Sequence, residues 1–199
     1  MAIPLLCSTR NAHKLGEIRT ILGSAFDVLD LSAVPDLGEV EESGCTFEDN
    51  AALKALAAAS HFDGLVMADD SGLEVDALGG APGVRSARFA GESATDSDNR
   101  HLLIQRLREL PAARFAARFR CTIAVARKQD ILGTFEGTVE GHLVTEVRGT
   151  GGFGYDPLFI PEGYASTFAE LPAEVKNTLS HRARALQAFQ AWAVQSIAG

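Results

Sequence analysis

Hydrophobic and polar positions along the chain follow two periods, and their changeovers mark the elements. Ile3 to Ser8 is almost continuously apolar, as a strand covered on both faces requires. It runs into the polar stretch Thr9-Arg10-Asn11-Ala12-His13-Lys14. Leu15, Ile18, Ile21 and Leu22 then recur at helical spacing. Phe26 to Leu29 predicts a second strand, followed by an acidic loop through Asp36, Glu39, Glu41 and Glu42 to Gly44. Thr46-Phe47-Glu48-Asp49 has the pattern of a capping box. The helix it opens, to about His61, is so rich in alanine that it must pack close to its neighbour. Leu65 to Ala68 is a short buried strand that Asp69-Asp70-Ser71-Gly72 is expected to open into a turn. Gly79-Gly80-Ala81-Pro82-Gly83 is irregular. Asp96 to Leu110 predicts an amphipathic helix on Leu102, Leu103, Leu107 and Leu110, its mixed charges facing solvent. Arg118 to Ala126 alternates and pairs with Ile131 to Glu140 in a hairpin turned at Lys128-Gln129-Asp130, both arms serving as scaffold. Pro172 opens a short helix carrying Lys176. The last helix begins near Ser180 and buries Leu186, Phe189, Ala193 and Ile197.

This order of elements places chemistry at specific points. Successive strand residues face opposite ways, so Asp69 and Asp70 are expected to do different jobs. Strand, short polar loop and helix aim backbone N–H groups at an anion. Lys14 sits in the first helical turn, where the dipole disfavours a cation unless an anion lies beside it; a plain helix start capped by Asn11 is the simpler alternative. Asn50 and Lys54, four residues apart, share a face, so Lys54 either enters the same cleft as Lys14 or meets solvent. Gly149-Thr150-Gly151-Gly152-Phe153-Gly154 matches a bare G-x-G-x-x-G, but Tyr155-Asp156-Pro157 follows where a dinucleotide site needs a helix. Phe153, Tyr155 and Asp156 instead offer aromatic faces and a carboxylate for a flat heterocycle, or a turn whose aromatics enter the core. His181 and Arg182 again put positive groups into a first turn. His13, His61, His101 and His142 have no metal-ligand spacing.

With 199 residues, 46% hydrophobic and 22% charged, the chain reads as one globular domain. A net charge of -8 argues against a nucleic-acid polymer or an anionic membrane as partner. Cys7, Cys45 and Cys121 are expected to be reduced, semi-buried filler. The Met1 to Cys7 segment lacks the basic region and length of a signal peptide, so the cytoplasm is the expected location.

Five pieces in register, Thr9 to Lys14, Glu41 to Ala51, Ala68 to Leu73, Gly151 to Pro157 and Ser180-His181-Arg182, resemble the inosine triphosphate pyrophosphatase family from about Ile3 to Ala188. The resemblance implies a single-domain α/β fold, an elongated mixed β-sheet flanked by helices with two lobes around a central cleft. It implies a homodimer, Mg2+ dependence with Mn2+ as a possible substitute, and hydrolysis of dITP, ITP and XTP to the monophosphate and pyrophosphate. By motif position, Thr9, Arg10, Asn11, Ala12, His13 and Lys14 resemble the triphosphate loop, Arg10 carrying no inherited side-chain role. Lys54 resembles a further phosphate contact and Ser71 a substrate contact. Glu41 and Asp70 resemble the metal carboxylates, with Glu42 able to share or replace Glu41 and with Asp70 also the proton acceptor. Phe153, Gly154, Tyr155 and Asp156 resemble the base-binding segment, joined by Lys176, His181 and Arg182. Arg182 and backbone N–H groups are the donors expected to favour a 6-oxo purine over adenine. A Maf-like pyrophosphatase and a nucleotide sensor without turnover are the competing readings.

Overall fold

The first apolar run forms β1 (Ile3–Cys7), with parallel partners on both sides. β2 (Phe26–Leu29) pairs from Ile3↔Phe26 to Leu6↔Leu29, and β3 (Leu65–Val75) from Leu5↔Leu65 to Cys7↔Met67. β4 (Phe115–Arg127) and β5 (Asp130–Leu143) follow in the chain, and β6 (Phe159–Pro161) runs antiparallel to β5. The sheet order is β2-β1-β3-β4-β5-β6. The sheet is therefore mixed, and it is accompanied by α1 (Ala12–Leu22), α2 (Phe47–Ala59), α3 (Asp96–Arg108), α4 (Ala173–Leu179) and α5 (His181–Ser196). The computed structural model describes residues 2–111 and 114–196; Ile197, expected on the buried face of the last helix, lies outside them.

The chain divides into two compact units: Met1–Asp70 with Cys121–Gly137 and Arg182–Gly199, and Ser71–Arg120 with Thr138–His181. In the first, strand alternation builds two cores. Leu5, Cys7, Leu65, Met67, Cys121, Ile123 and Val125 face α1 and α5 through Ile18, Leu22, Ala185, Leu186 and Phe189. Leu6, Val66, Ala68, Ala124 and Ala126 face the alanines of α2, Ala51, Ala55, Ala58 and Ala59. Small residues on both sides let this helix approach closely, as its composition predicts. Among the described residues of the second unit, Leu73, Val75, Phe115, Ala117, Phe119, Val139 and Leu143 meet Leu103 and Leu107 of α3 and the aromatic residues Tyr155, Phe159 and Phe168 in a core.

Several expectations are corrected. Asp69-Asp70-Ser71-Gly72 is no turn: β3 continues to Val75. Leu73 and Val75 keep the alternation going into the second core, and the Ser86 hydroxyl accepts the Leu73 N–H at 2.9 Å. Burial on both sides of the motif overrides its local turn chemistry. The hairpin turn is tighter than expected, only Lys128 and Gln129 separating β4 from β5, with Lys128 at φ 56°. Both arms are longer than their clean alternation suggested, and β6 carries too short a pattern to announce itself. Cys7 and Cys121 are buried in the strands β1 and β4, whereas Cys45, in the loop before α2, is exposed rather than semi-buried. Among the described residues, no helix is long and apolar enough to cross a membrane.

Candidate active site

β1 ends at Cys7, and Asp69 and Asp70 lie two and three residues beyond its last pairing on β3. They stand past the carboxyl end of their neighbouring strand, where open sheets place ligands. Asp69 follows Leu65 and Met67 onto the face of α1 and α5; Asp70 follows Val66 and Ala68 onto the face of α2.

On its face Asp69 meets two cations. Lys14 Nζ is 3.2 Å from Asp69 Oδ2, and Arg182 donates to the same oxygen from Nη2 at 2.9 Å and from Nε at 3.2 Å. Arg182 Nη1 also donates to Glu17 Oε2 at 2.6 Å. Burial alone would raise the Asp69 carboxyl, but Lys14, Arg182 and Lys54 outweigh it and hold the group far below the ordinary carboxylate range. Asp69 Oδ1 is buried without a hydrogen-bond partner. The same surroundings push the thiols of Cys7 and Cys121 up to about 12, mainly by burial and then by the negative charge of Asp69, so neither is a nucleophile.

On the other face Asp70 is held by α2. Asn50 Nδ2 donates to Asp70 Oδ2 at 3.1 Å, and Lys54 Nζ lies 3.5 Å from Asp70 Oδ1 and 2.6 Å from Glu42 Oε1. The capping box is present as expected, Thr46 Oγ1 accepting from Asp49 and the Asp49 carboxylate from the Thr46 N–H, which fixes where Asn50 and Lys54 emerge. Burial raises the Asp70 pKa and the nearby Glu42 adds to it, more than Lys54, Lys14 and the Asn50 N–H lower it. One carboxylate is thus locked ionised while its chain neighbour is raised, the separation that lets a pair divide acid–base roles.

The acidic loop reaches Asp70 through Glu42. Asn50 Oδ1 accepts the Gly44 N–H at 2.8 Å and pins the loop's end, and a Cβ on Gly44 would crowd that same oxygen. Arg10 Nη2 donates to the carbonyls of Leu37 and Gly38, so its side chain tethers this loop. Glu41 is exposed. Of the two candidate acids, Glu42 is the one brought to Asp70's lysine. Among the described residues, no three His, Cys, Asp or Glu side chains gather as a ready cage for a metal ion. Mg2+ normally takes one or two carboxylates and completes its shell with water and substrate phosphates. Asp70 with Glu42 is such a donor set, so the residues present fit that ion.

The glycine-rich loop belongs to the second unit, where a single 3-10 turn, Asp156–Leu158, and not an α-helix, follows it. Asp156 is buried; its Oδ2 accepts the Phe153 N–H at 2.9 Å and the Lys176 ammonium. Gly152, at φ 68°, has no room for a Cβ beside that carboxylate. Lys176, from α4, lies 4.8 Å from the centroid of the half-buried Phe153 ring. Tyr155 is 4% exposed and its hydroxyl donates to the Ser86 carbonyl at 2.9 Å, so this aromatic belongs to the core. His181, buried at the start of α5, stacks on Phe119 with ring centroids 4.8 Å apart and planes 13° from parallel. Ser71, half-buried, follows Asp70 along β3.

A family model described as the Ham1 family matches residues 5–192. The chain belongs to the Ham1 family. It is 46% identical over 188 residues to the dITP/XTP pyrophosphatase of Halalkalibacterium halodurans, covering 94% of this chain and 97% of that one. It is 50% identical over 184 residues to the dITP/XTP pyrophosphatase of Desulforamulus reducens, covering 92% of each. Its fold superposes on a HAM1 protein from Coxiella burnetii with a TM-score of 0.88 at 33% identity, over 98% of this chain and 100% of that one.

Within this Ham1 chain the expected site residues fall into two groups. Thr9 to Lys14, Glu41 with its alternative Glu42, Lys54, Asp70 and Arg182 belong to one unit; Ser71, Phe153 to Asp156, Lys176 and His181 belong to the other. Arg182, expected beside the base segment, has its guanidinium engaged by Asp69 and Glu17. The backbone N–H groups of Phe153 and Gly154 are also taken, by Asp156 and Asp96. Carboxylates therefore lie beside the cations of two helix starts, Asp69 meeting Lys14 and Arg182, and Glu17 meeting Arg182. Asn11 is indeed the cap of α1, its Oδ1 accepting from His13 and Lys14, while Thr9 Oγ1 accepts from Asn11. Sequence reasoning missed Glu17, although it lies one helical turn after Lys14, and it left Asn50 without a role. It read the charges of α3 only as a solvated face: Asp96 is indeed exposed and Arg100 half-buried, but both also bond Gly154, which the sequence did not show.

Proposed function

We propose that this Ham1-family chain hydrolyses non-standard purine nucleoside triphosphates, ITP, dITP and XTP, to the monophosphate and pyrophosphate. The reading carries over the activity named for its relatives and rests on one observation here. Two adjacent carboxylates are driven apart in proton affinity, and the raised one, Asp70, stands among Lys54, Asn50 and Glu42.

Lys14, Lys54 and the N–H groups at the start of α1 bind the triphosphate, and Thr9, Asn11 and His13 line the same loop. Approach of the phosphates exchanges the Lys14–Asp69 pair for a Lys14–phosphate pair, while Asp69 keeps Arg182. Asp70 accepts a proton from the water that attacks the α-phosphorus in line, and the bond to the β-phosphate bridging oxygen breaks to release pyrophosphate. Asn50 holds the Asp70 carboxylate for this transfer. Mg2+, held by Asp70 with Glu42 or Glu41, supplies charge neutralisation to the phosphates when bound.

For the base, Phe153 is the stacking face, with Lys176 beside it and His181 elsewhere in the same unit. Lys176 only donates hydrogen bonds, so it matches the 6-oxo group of hypoxanthine or xanthine and leaves the amino group of adenine unmatched. An ammonium carries three N–H donors, so Lys176 is assigned this role in addition to its bond to Asp156. We further infer a cytoplasmic homodimer in which the chain acts as a single pyrophosphatase domain; sedimentation tests the dimer, and a monomer at micromolar concentration would refute it. A pyrophosphate-release assay with ITP and Mg2+ decides the main claim. Turnover on ITP and XTP with kcat/KM at least about a hundredfold above ATP is expected. Equal values would overturn the proposed selectivity, and no pyrophosphate from ITP would overturn the function.

A further inference from the structure

We propose that Asp96 and Arg100 are positioning residues that lock the backbone on both sides of Gly154 and so set the Phe153 ring as the platform for the base. The platform's role rests on the function proposed above; the lock itself rests on the geometry of the second unit. Gly154 adopts φ 58°, yet a Cβ there would meet nothing within 4 Å. The glycine is needed for backbone rotation, not for space, so it marks the point where this loop is free to turn. Everything around it is already held. The Phe153 N–H is bound by Asp156 at 2.9 Å, and the Tyr155 hydroxyl is anchored on the Ser86 carbonyl at 2.9 Å.

The remaining freedom is removed by α3. Asp96 Oδ2 accepts the Gly154 N–H at 2.7 Å, and Arg100 Nη1 donates to the Gly154 carbonyl at 2.7 Å. The N–H belongs to the peptide plane shared with Phe153 and the carbonyl to the plane shared with Tyr155, so two contacts fix two planes. Asp96 and Arg100 are four residues apart and therefore on one helix face. Both bonds carry a charge on the side-chain partner, which makes them short and directional. The helix start that presents them is itself rigid. Thr95 Oγ1 accepts from Asp98 at 3.2 Å and Asp98 Oδ2 from Thr95 at 2.9 Å. Asn99 bonds Ala90 and Ala87 at 2.8 and 3.0 Å.

Full-length Arg100→Met and Asp96→Asn variants, compared with the wild type, test the lock in two ways. Hydrogen exchange at the amides of residues 153–155 is expected to quicken at least about tenfold. In turnover, KM for ITP is expected to rise about 10- to 100-fold with kcat within about threefold, the mark of lost binding rather than lost chemistry. Inhibition by imidodiphosphate, which has no base, is expected to change less than about twofold, and Arg100→Lys, which retains a donor, to recover most of the ITP affinity. Unchanged exchange in both variants overturns the lock. An unchanged KM, or a parallel loss of imidodiphosphate inhibition, overturns its role in presenting the base. Should the wild type release no pyrophosphate from ITP, the functional reading fails, and the exchange measurement still decides the lock.

Discussion

Asp69 and Asp70 differ by one position in the chain and by one face of the sheet, and that single step gives them opposite electrostatics. Asp70's folded-state pKa is raised, so its contribution to stability is present at low pH and is lost as pH rises through that value. Near neutrality the ionised group weakens the fold that holds it. Asp70→Asn is therefore expected to reduce kcat by about two to four powers of ten while leaving Tm unchanged or higher. Near-native turnover, or a fall in Tm of more than about 4 °C, would contradict the assignment. Asp69 runs the other way: its pKa is depressed, so its stabilisation is present above the ordinary carboxylate range and is lost as pH falls through the folded value. Asp69→Asn leaves Arg182, 0% exposed, with only Glu17 of its two carboxylates. A loss of about 3–5 kcal/mol at neutral pH is expected, narrowing as acid removes the wild type's advantage below about pH 3. Thermal melts of both proteins across that range check the sign, and a gap that widens in acid would refute it.

Elements deliver these side chains, and their ends matter more than their lengths. The start of α1 supplies Lys14, the capped start of α2 supplies Asn50 and later Lys54, and the start of α5 supplies His181 and Arg182. The middle of α2 meets the sheet through small side chains, Ala51, Ala55 and Ala58 being fully buried against Val66, Ala68 and Ala124. Ala55→Leu has no space to fill, so it is expected to cost about 1–3 kcal/mol by overpacking. The same displacement moves Asn50 and Lys54 away from Asp70, so kcat is expected to fall together with Tm. A variant less stable but fully active would show that the helix position is not what places those groups. The helix starts were legible because caps and hydrophobic spacing are local. The course of β3 through Ser71 and Gly72 was not, because the core that extends it comes from residues far along the chain.

At the scale of the molecule, each unit gathers one group of the candidate site residues from distant segments of the chain. The first brings residues from 14 to 182 around two carboxylates; the second gathers 96 to 181 around the glycine-rich loop. Thiol labelling offers a simple check on how these cores close. Cys45 is expected to react rapidly in the native protein, and Cys7 and Cys121 only after unfolding, because both lie in the core with thiols raised to about 12. Three fast thiols would mean that the core around β1 and β4 is open. The family's five motifs, β1, β2 and most helix boundaries follow from local pattern, since capping, alternation and periodicity are written in neighbouring residues. Which acid of a pair holds a proton more tightly, that Glu42 rather than Glu41 meets Lys54, and that Arg182 is bound by Asp69 and Glu17 were decided only by folding. These properties depend on the burial and charge each group finds across the fold, and no stretch of sequence contains its own surroundings.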